Sequence, residues 1–157
     1  GETVVLDENG VSCAMNGINA FLEWLQAHKV KVVEIERLVY SRKHHYAGRA
    51  DITAHVDDSE YPYVIDYKTG KDIYDDVFYQ LASYQMALEE EGCKYQGRIA
   101  MHFDKFTGAF KAVYLDQLSY SSYERDCGVF LSLVHVNTNH GILKNARYAE
   151  WKAKNGK

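Results

Sequence analysis

The sequence predicts an α/β domain in which a mixed central β-sheet is flanked by helices. Three observations carry this expectation. Runs rich in β-branched and aromatic residues recur near 30–40, 48–56, 63–68, 98–103 and 110–115. Between the third and fourth runs, Val77, Leu81, Tyr84 and Leu88 repeat at helical spacing. The resulting order is helix, three strands, helix, two strands, helices, which suits a sheet covered by helices.

The elements follow in order. Val4-Val5-Leu6 reads as a small strand and Asn9-Gly10 as a turn. A helix is expected from Ala14 to His28, with a stripe of Ile18, Phe21, Leu22 and Leu25 and a start weakened by Gly17. Val30–Tyr40 reads as a strand whose alternation puts Glu34 and Glu36 on one side. A polar turn, Ser41 to His45, leads to a second strand near Gly48–Val56. Asp57 to Glu60 form the next turn, and Pro62 stands at the start of a third strand, Tyr63–Lys68. Asp72 is the expected N-cap of a helix from Ile73 to Glu91, which Gly92 ends. After the last two strands, helices are expected at about Leu118–Val136 and Ile142–Ala153. There is no internal repeat or low-complexity stretch, so residues 1–157 read as one domain.

Composition narrows the function classes. A net charge of −4 is no basic blanket, so a polyanion must be met by a local patch or by bound cations. The three cysteines, Cys13, Cys93 and Cys127, contain no C-x-x-C pair and exclude a four-cysteine zinc site or iron–sulfur cluster built from this chain. They fit a reducing compartment. No apolar run approaches the ~20 residues of a membrane span. The chain opens on Gly rather than Met, so a segment removed from its front, including a targeting segment, stays open.

The chemistry gathers at Asp66 and Lys68, two apart on one face of a strand. Alone they read as a strand salt pair. Asp51 from the preceding strand and Glu36 from the first add carboxylates, and oxygen donors of this kind suit a hard cation such as Mg²⁺ or Mn²⁺. Such a metal polarises a phosphoryl oxygen and activates bound water, and a neighbouring lysine orients or stabilises the hydroxide. The reaction expected is metal-assisted phosphodiester hydrolysis.

Gly48-Arg49-Ala50-Asp51, Asp66-Tyr67-Lys68-Thr69-Gly70 and Gln80-Leu81-Ala82-Ser83-Tyr84 together resemble the motifs of the PD-(D/E)XK nuclease superfamily. More narrowly they resemble its RecB-like exonuclease branch, which carries G-x-x-D, D-x-K and Q-x-x-x-Y. The resemblance runs from about Val30 to Gly92. It implies a restriction-endonuclease-like core. It also implies that Asp51 and Asp66 are metal ligands, that the Tyr67 backbone carbonyl is a further ligand, and that Lys68 is the catalytic lysine. Gln80 and Tyr84, four apart on a helix, would position the site and contact DNA. Glu36 stays open between metal ligand and surface charge, and Glu34 reads as solvated. His28 matches no upstream histidine motif and is not assigned. With too few cysteines for a cluster, the chain resembles the cluster-free enzymes of phage or organelles.

The resemblance therefore implies a DNA nuclease, an exonuclease in recombination, repair or replication. A structure-specific endonuclease or resolvase, and a non-catalytic domain that binds DNA or protein, remain alternatives. Lys43 in its basic turn, Lys71, Lys105 and Lys111 are the candidate DNA contacts. His102, His135 and His140 show no partner pattern and read as structural or exposed. The expected partner is DNA, with no membrane. A second copy of the chain, or a single-strand-binding or recombination protein, is a further candidate. The expected place is a bacterial or phage-infected cytoplasm, or the mitochondrial matrix if a targeting segment has been removed.

Overall fold

The computed structural model describes residues 8–69, 72–104 and 107–156. Helix α1 (Glu8–Ala27) precedes three strands, β1 (Lys31–Ser41), β2 (Tyr46–His55) and β3 (Tyr63–Lys68). Helix α2 (Asp75–Glu90) then leads to β4 (Gly97–Phe103) and β5 (Phe110–Tyr114), and α3 (Tyr123–Asn155) completes the described chain. The strands form one sheet in sequence order. All neighbours are antiparallel except β3 and β4. That parallel pair needs a crossover, and α2 supplies it across one face of the sheet. The mixed sheet between helices is the architecture expected for a restriction-endonuclease-like core. No helix among the described residues is long and apolar enough to cross a membrane.

Alternation along the strands builds two apolar layers. Val39, Val64 and Ala100 meet Val77, Leu81 and Leu88 of α2. Ala54, Ile65, Ile99 and Met101 meet Trp24 of α1, with Phe21 and Leu25 packed alongside. Along β3 this places Val64, Asp66 and Lys68 on the α2 side and Ile65 and Tyr67 on the α1 side. Tyr67 lines an apolar cavity of about 190 Å³ with Phe21, Ile52, Met101 and Phe103.

Several expectations are corrected. Helix α1 starts earlier than Ala14 and absorbs Asn9-Gly10, because the first turn of a helix has no internal partners for its N–H groups and tolerates weak formers. Its packed edge is Phe21, Trp24 and Leu25, while Ile18 and Leu22 are about half exposed. Asp72 is not the cap of α2. Tyr74 holds that position without a side-chain bond, and Asp72 Oδ1 instead accepts from the Ile73 N–H at 2.8 Å. Asp75 and Asp76 in the first turn complement the helix dipole. The two C-terminal helices are one continuous α3 of 33 residues. Asn139 donates to the His135 carbonyl at 2.9 Å, so the polar stretch bonds back onto the helix instead of breaking it. The strand expected at Val4–Leu6 lies outside the described residues.

Candidate active site

The strands splay apart where the site forms. The β2–β3 ladder pairs Ala54 with Tyr63, Thr53 with Val64 and Ile52 with Ile65, and ends there. Beyond it the Tyr67 N–H donates to the side-chain carboxylate of Asp51, Oδ2 at 3.2 Å. A side chain thus takes a backbone donor near the end of the ladder, holding Asp51 at the mouth of the fork.

Asp66 is 1 % exposed. Its Oδ2 lies 2.6 Å from Lys68 Nζ, yet the approach is off the line of a hydrogen bond and that oxygen has no aligned donor. Burial, partly offset by Lys68 and reinforced by the charge of Asp51, pushes the Asp66 carboxyl up to about 6. Lys68 donates to Gln80 Oε1 at 2.8 Å, and Gln80 Nε2 donates to the Tyr84 hydroxyl at 2.6 Å. One turn of α2 therefore fixes the lysine through a two-bond relay.

Gly48 explains how Tyr84 fits. A Cβ there would lie 2.6 Å from Tyr84 Cε1, so only glycine lets the ring lie against β2. The first residue of the G-x-x-D motif thus serves the last residue of the Q-x-x-x-Y motif. Beside this contact runs an open groove of about 370 Å³, lined by Tyr46, Gly48, Gln80, Tyr84, Phe130 and Leu133.

Asp51, Asp66, Lys68, Gln80 and Tyr84 come together, but Glu36 does not join them. A bulge between Val32 and Glu34 shifts the register of β1. Glu36 itself adopts a φ of 55°, which breaks the alternation that would align it with its neighbours. Its carboxylate pairs with Arg49 Nε at 2.6 Å, while Glu34 pairs with Arg37. Glu34 and Glu36 therefore do not act from one side, and the expected set of three carboxylates becomes two. Among the described residues no three His, Cys, Asp or Glu side chains cluster as a metal cradle.

The other candidates are scattered. The Lys43 amide bonds Glu90 Oε2 at 3.4 Å, which ties its turn to the far end of α2. That is about 15 Å along the helix from Gln80. Lys71 and Lys105 lie outside the described residues. Lys111 is exposed on β5 opposite His102. His28 sits 2.8 Å from Asp57, beside a concavity of about 510 Å³ at the other end of β3 that holds none of the expected site residues. Of the two readings open for His102, structural or exposed, the structure has the buried one, and His102 stands opposite Lys68 in the parallel β3–β4 register. Nothing local in the sequence marks it, because its neighbour is reached only through the α2 crossover.

Two carboxylates at a fork, one of them buried with an oxygen lacking an aligned donor, form an all-oxygen donor set for a hard divalent cation. Mg²⁺ characteristically uses one or two carboxylates and fills its other positions with water and phosphate oxygens, so two protein donors fit it. A family model described as the PD-(D/E)XK nuclease superfamily matches residues 9–138. No curated protein is similar enough to count as a match. Nucleases of the matched superfamily generally use divalent metals.

Proposed function

Because the chain belongs to the PD-(D/E)XK nuclease superfamily, we propose that it is a Mg²⁺- or Mn²⁺-dependent DNA exonuclease of the RecB-like kind, serving recombination, repair or replication. The observation that carries this reading is the convergence of Asp51, Asp66, Lys68 and Gln80 on one face of the sheet at the β2–β3 fork. Asp51 and Asp66 would hold the cation, with the Tyr67 carbonyl as a further donor. When bound, the metal supplies a polarised phosphoryl oxygen and an activated water.

The protein's own groups do the rest. Lys68 presents an ammonium beside the buried carboxylate, where it orients the attacking water and stabilises negative charge as it develops. The Gln80 carbonyl accepts one Lys68 proton and restricts where Nζ points, and Tyr84 in turn fixes the amide. The buried face supplies a low dielectric in which that charge counts for more than in water.

The test uses end-labelled linear DNA and a covalently closed circle, each with Mg²⁺ and with Mn²⁺. The expected result is loss of the linear DNA with the circle intact. Nicking of the circle would make the protein an endonuclease instead. No cleavage of either would leave a binding domain. Asp66→Ala and Lys68→Ala are expected to lower cleavage at least about a hundredfold while circular dichroism stays native. Full activity in Asp66→Ala would overturn the site assignment.

A further inference from the structure

The C-terminal part of α3 is the most unusual surface on the molecule. The family match ends at residue 138, and the packing has ended shortly before, at Val134. Every described residue from 139 onward is exposed except Gly141, which is intermediate. The charge also changes there. The last 19 residues hold five of the 18 Lys and Arg and one of the 22 Asp and Glu, so they carry +4 while residues 1–138 carry −8.

This segment is two-faced. His140, Lys144, Arg147, Tyr148, Trp151 and Lys154 recur at helical spacing on one side. Ile142, Ala146, Ala149 and Ala153 occupy the opposite side. Tyr148 and Trp151 stack with ring centroids 6.2 Å apart, and both are about 60 % exposed. The helix leaves the domain at the groove beside the candidate site, where its own Phe130 and Leu133 line the wall shared with Gln80 and Tyr84. Lys144 follows Leu133 by about 17 Å of helix.

We propose that this segment is an arm that binds single-stranded DNA and holds it next to the active site. The ligand class rests on the DNA-nuclease reading, and the strandedness rests on the arm. Its aromatics lie within the cationic stripe, so one face can meet phosphates and stack on bases together. A helix that lies on a membrane separates the two, with cations on one side and bulky apolar groups on the other. Here the side opposite the stripe holds Ile142 and three alanines, with Lys152 beside Ala149 and Ala153. Two copies packed through the basic faces would oppose like charges. A duplex offers phosphates but hides the base faces that Tyr148 and Trp151 would use.

The experiment measures binding of the full chain to labelled oligo-dT and to a duplex of equal length, in EDTA so that nothing is cut. Single strand is expected to bind more tightly than duplex. Lys144→Ala/Arg147→Ala/Lys154→Ala is expected to weaken single-strand binding about tenfold or more and to flatten the log–log salt slope by about 2. Oligo-dT is expected to quench tryptophan emission. Trp151→Phe should remove that response, because the other tryptophan, Trp24, is buried. Unchanged affinity and slope in the triple variant, or emission indifferent to oligo-dT, overturns the proposal. So does equal binding of duplex and single strand, or self-association through the arm without DNA binding. The nuclease reading is scored separately by cleavage in Mg²⁺, so either idea can fail without the other.

Discussion

Among the described residues two buried ionic clusters are built on opposite terms. Around Arg98, which is fully buried, every direction is filled. Its guanidinium donates to Asp116 at 2.6 Å, to Asp126 at 2.9 Å and to the Phe78 carbonyl at 3.1 Å, with the Tyr123 ring 5.4 Å away. One cation thus ties β4, α2, α3 and the turn after β5. Around Asp66 the carboxylate is as deeply buried, yet one oxygen lacks an aligned donor and the carboxyl is pushed up to about 6. A charge buried for structure is paired completely because an unpaired one is costly. On the proposed reading Asp66 is buried for chemistry: it is paired with Lys68 alone and keeps acceptor capacity for a cation, and the fold carries the cost.

That contrast can be broken in three places. The largest effect is expected at Arg98. Arg98→Met leaves Asp116 and Asp126 without their common partner and should cost about 3–5 kcal/mol in a denaturant titration. A cost under about 1 kcal/mol would mean the cluster is not a structural anchor. Gly48→Ala comes next. It forces the Tyr84 ring off β2 at an overpacking cost of about 1–3 kcal/mol. Cleavage should fall with it, because the ring holds Gln80 and Gln80 holds Lys68. Wild-type cleavage rates in this variant would show that the relay does not position the lysine.

The smallest effect has the opposite sign. Asp66→Asn removes a carboxylate that is costly when ionised and should stabilise the fold by about 1–2 kcal/mol at pH 7.5. The sign follows from the upward shift. The folded carboxyl titrates near 6 and the unfolded one near its ordinary value of about 3.9, so the folded state binds the proton first. As pH falls from 7 toward 4, wild type is relieved of its charge and the advantage of the variant shrinks. Thermal melts of both proteins across that range check it. A variant that is less stable at pH 7.5 would mean that the Lys68 pairing outweighs the burial cost.

Much of the candidate site was readable from residue types and spacing. Strand β3 was bounded by Pro62 and by the turn residues after Lys68, and alternation alone placed Asp66 and Lys68 together. The four-residue spacing of Gln80 and Tyr84 put them on one helical face. What was not readable depends on departures from regularity or on long-range assembly. Alternation assigned Glu36 to a side, but one bulge and one positive φ sent it to Arg49. The helices expected at Leu118–Val136 and Ile142–Ala153 left a gap that the structure spans as helix, with Asn139 bonding back to the His135 carbonyl. The Arg98 cluster joins residues 78, 98, 116 and 126, which no local window contains. Gly48 was visible as part of a motif, while its reason, the Tyr84 ring, required the packed structure.

The one parallel pair among the described strands has a consequence for the order of assembly. Asp66 stands opposite Ala100 and Lys68 opposite His102, across a crossover that contains all of α2. The β1–β2–β3 meander closes through short turns and can form early, whereas this pairing must wait for a long loop to close. Until β4 docks, Asp66 and Lys68 lack the neighbours that Ala100 and His102 provide. In a chain that has not yet reached β4, the candidate site is therefore incomplete on one side.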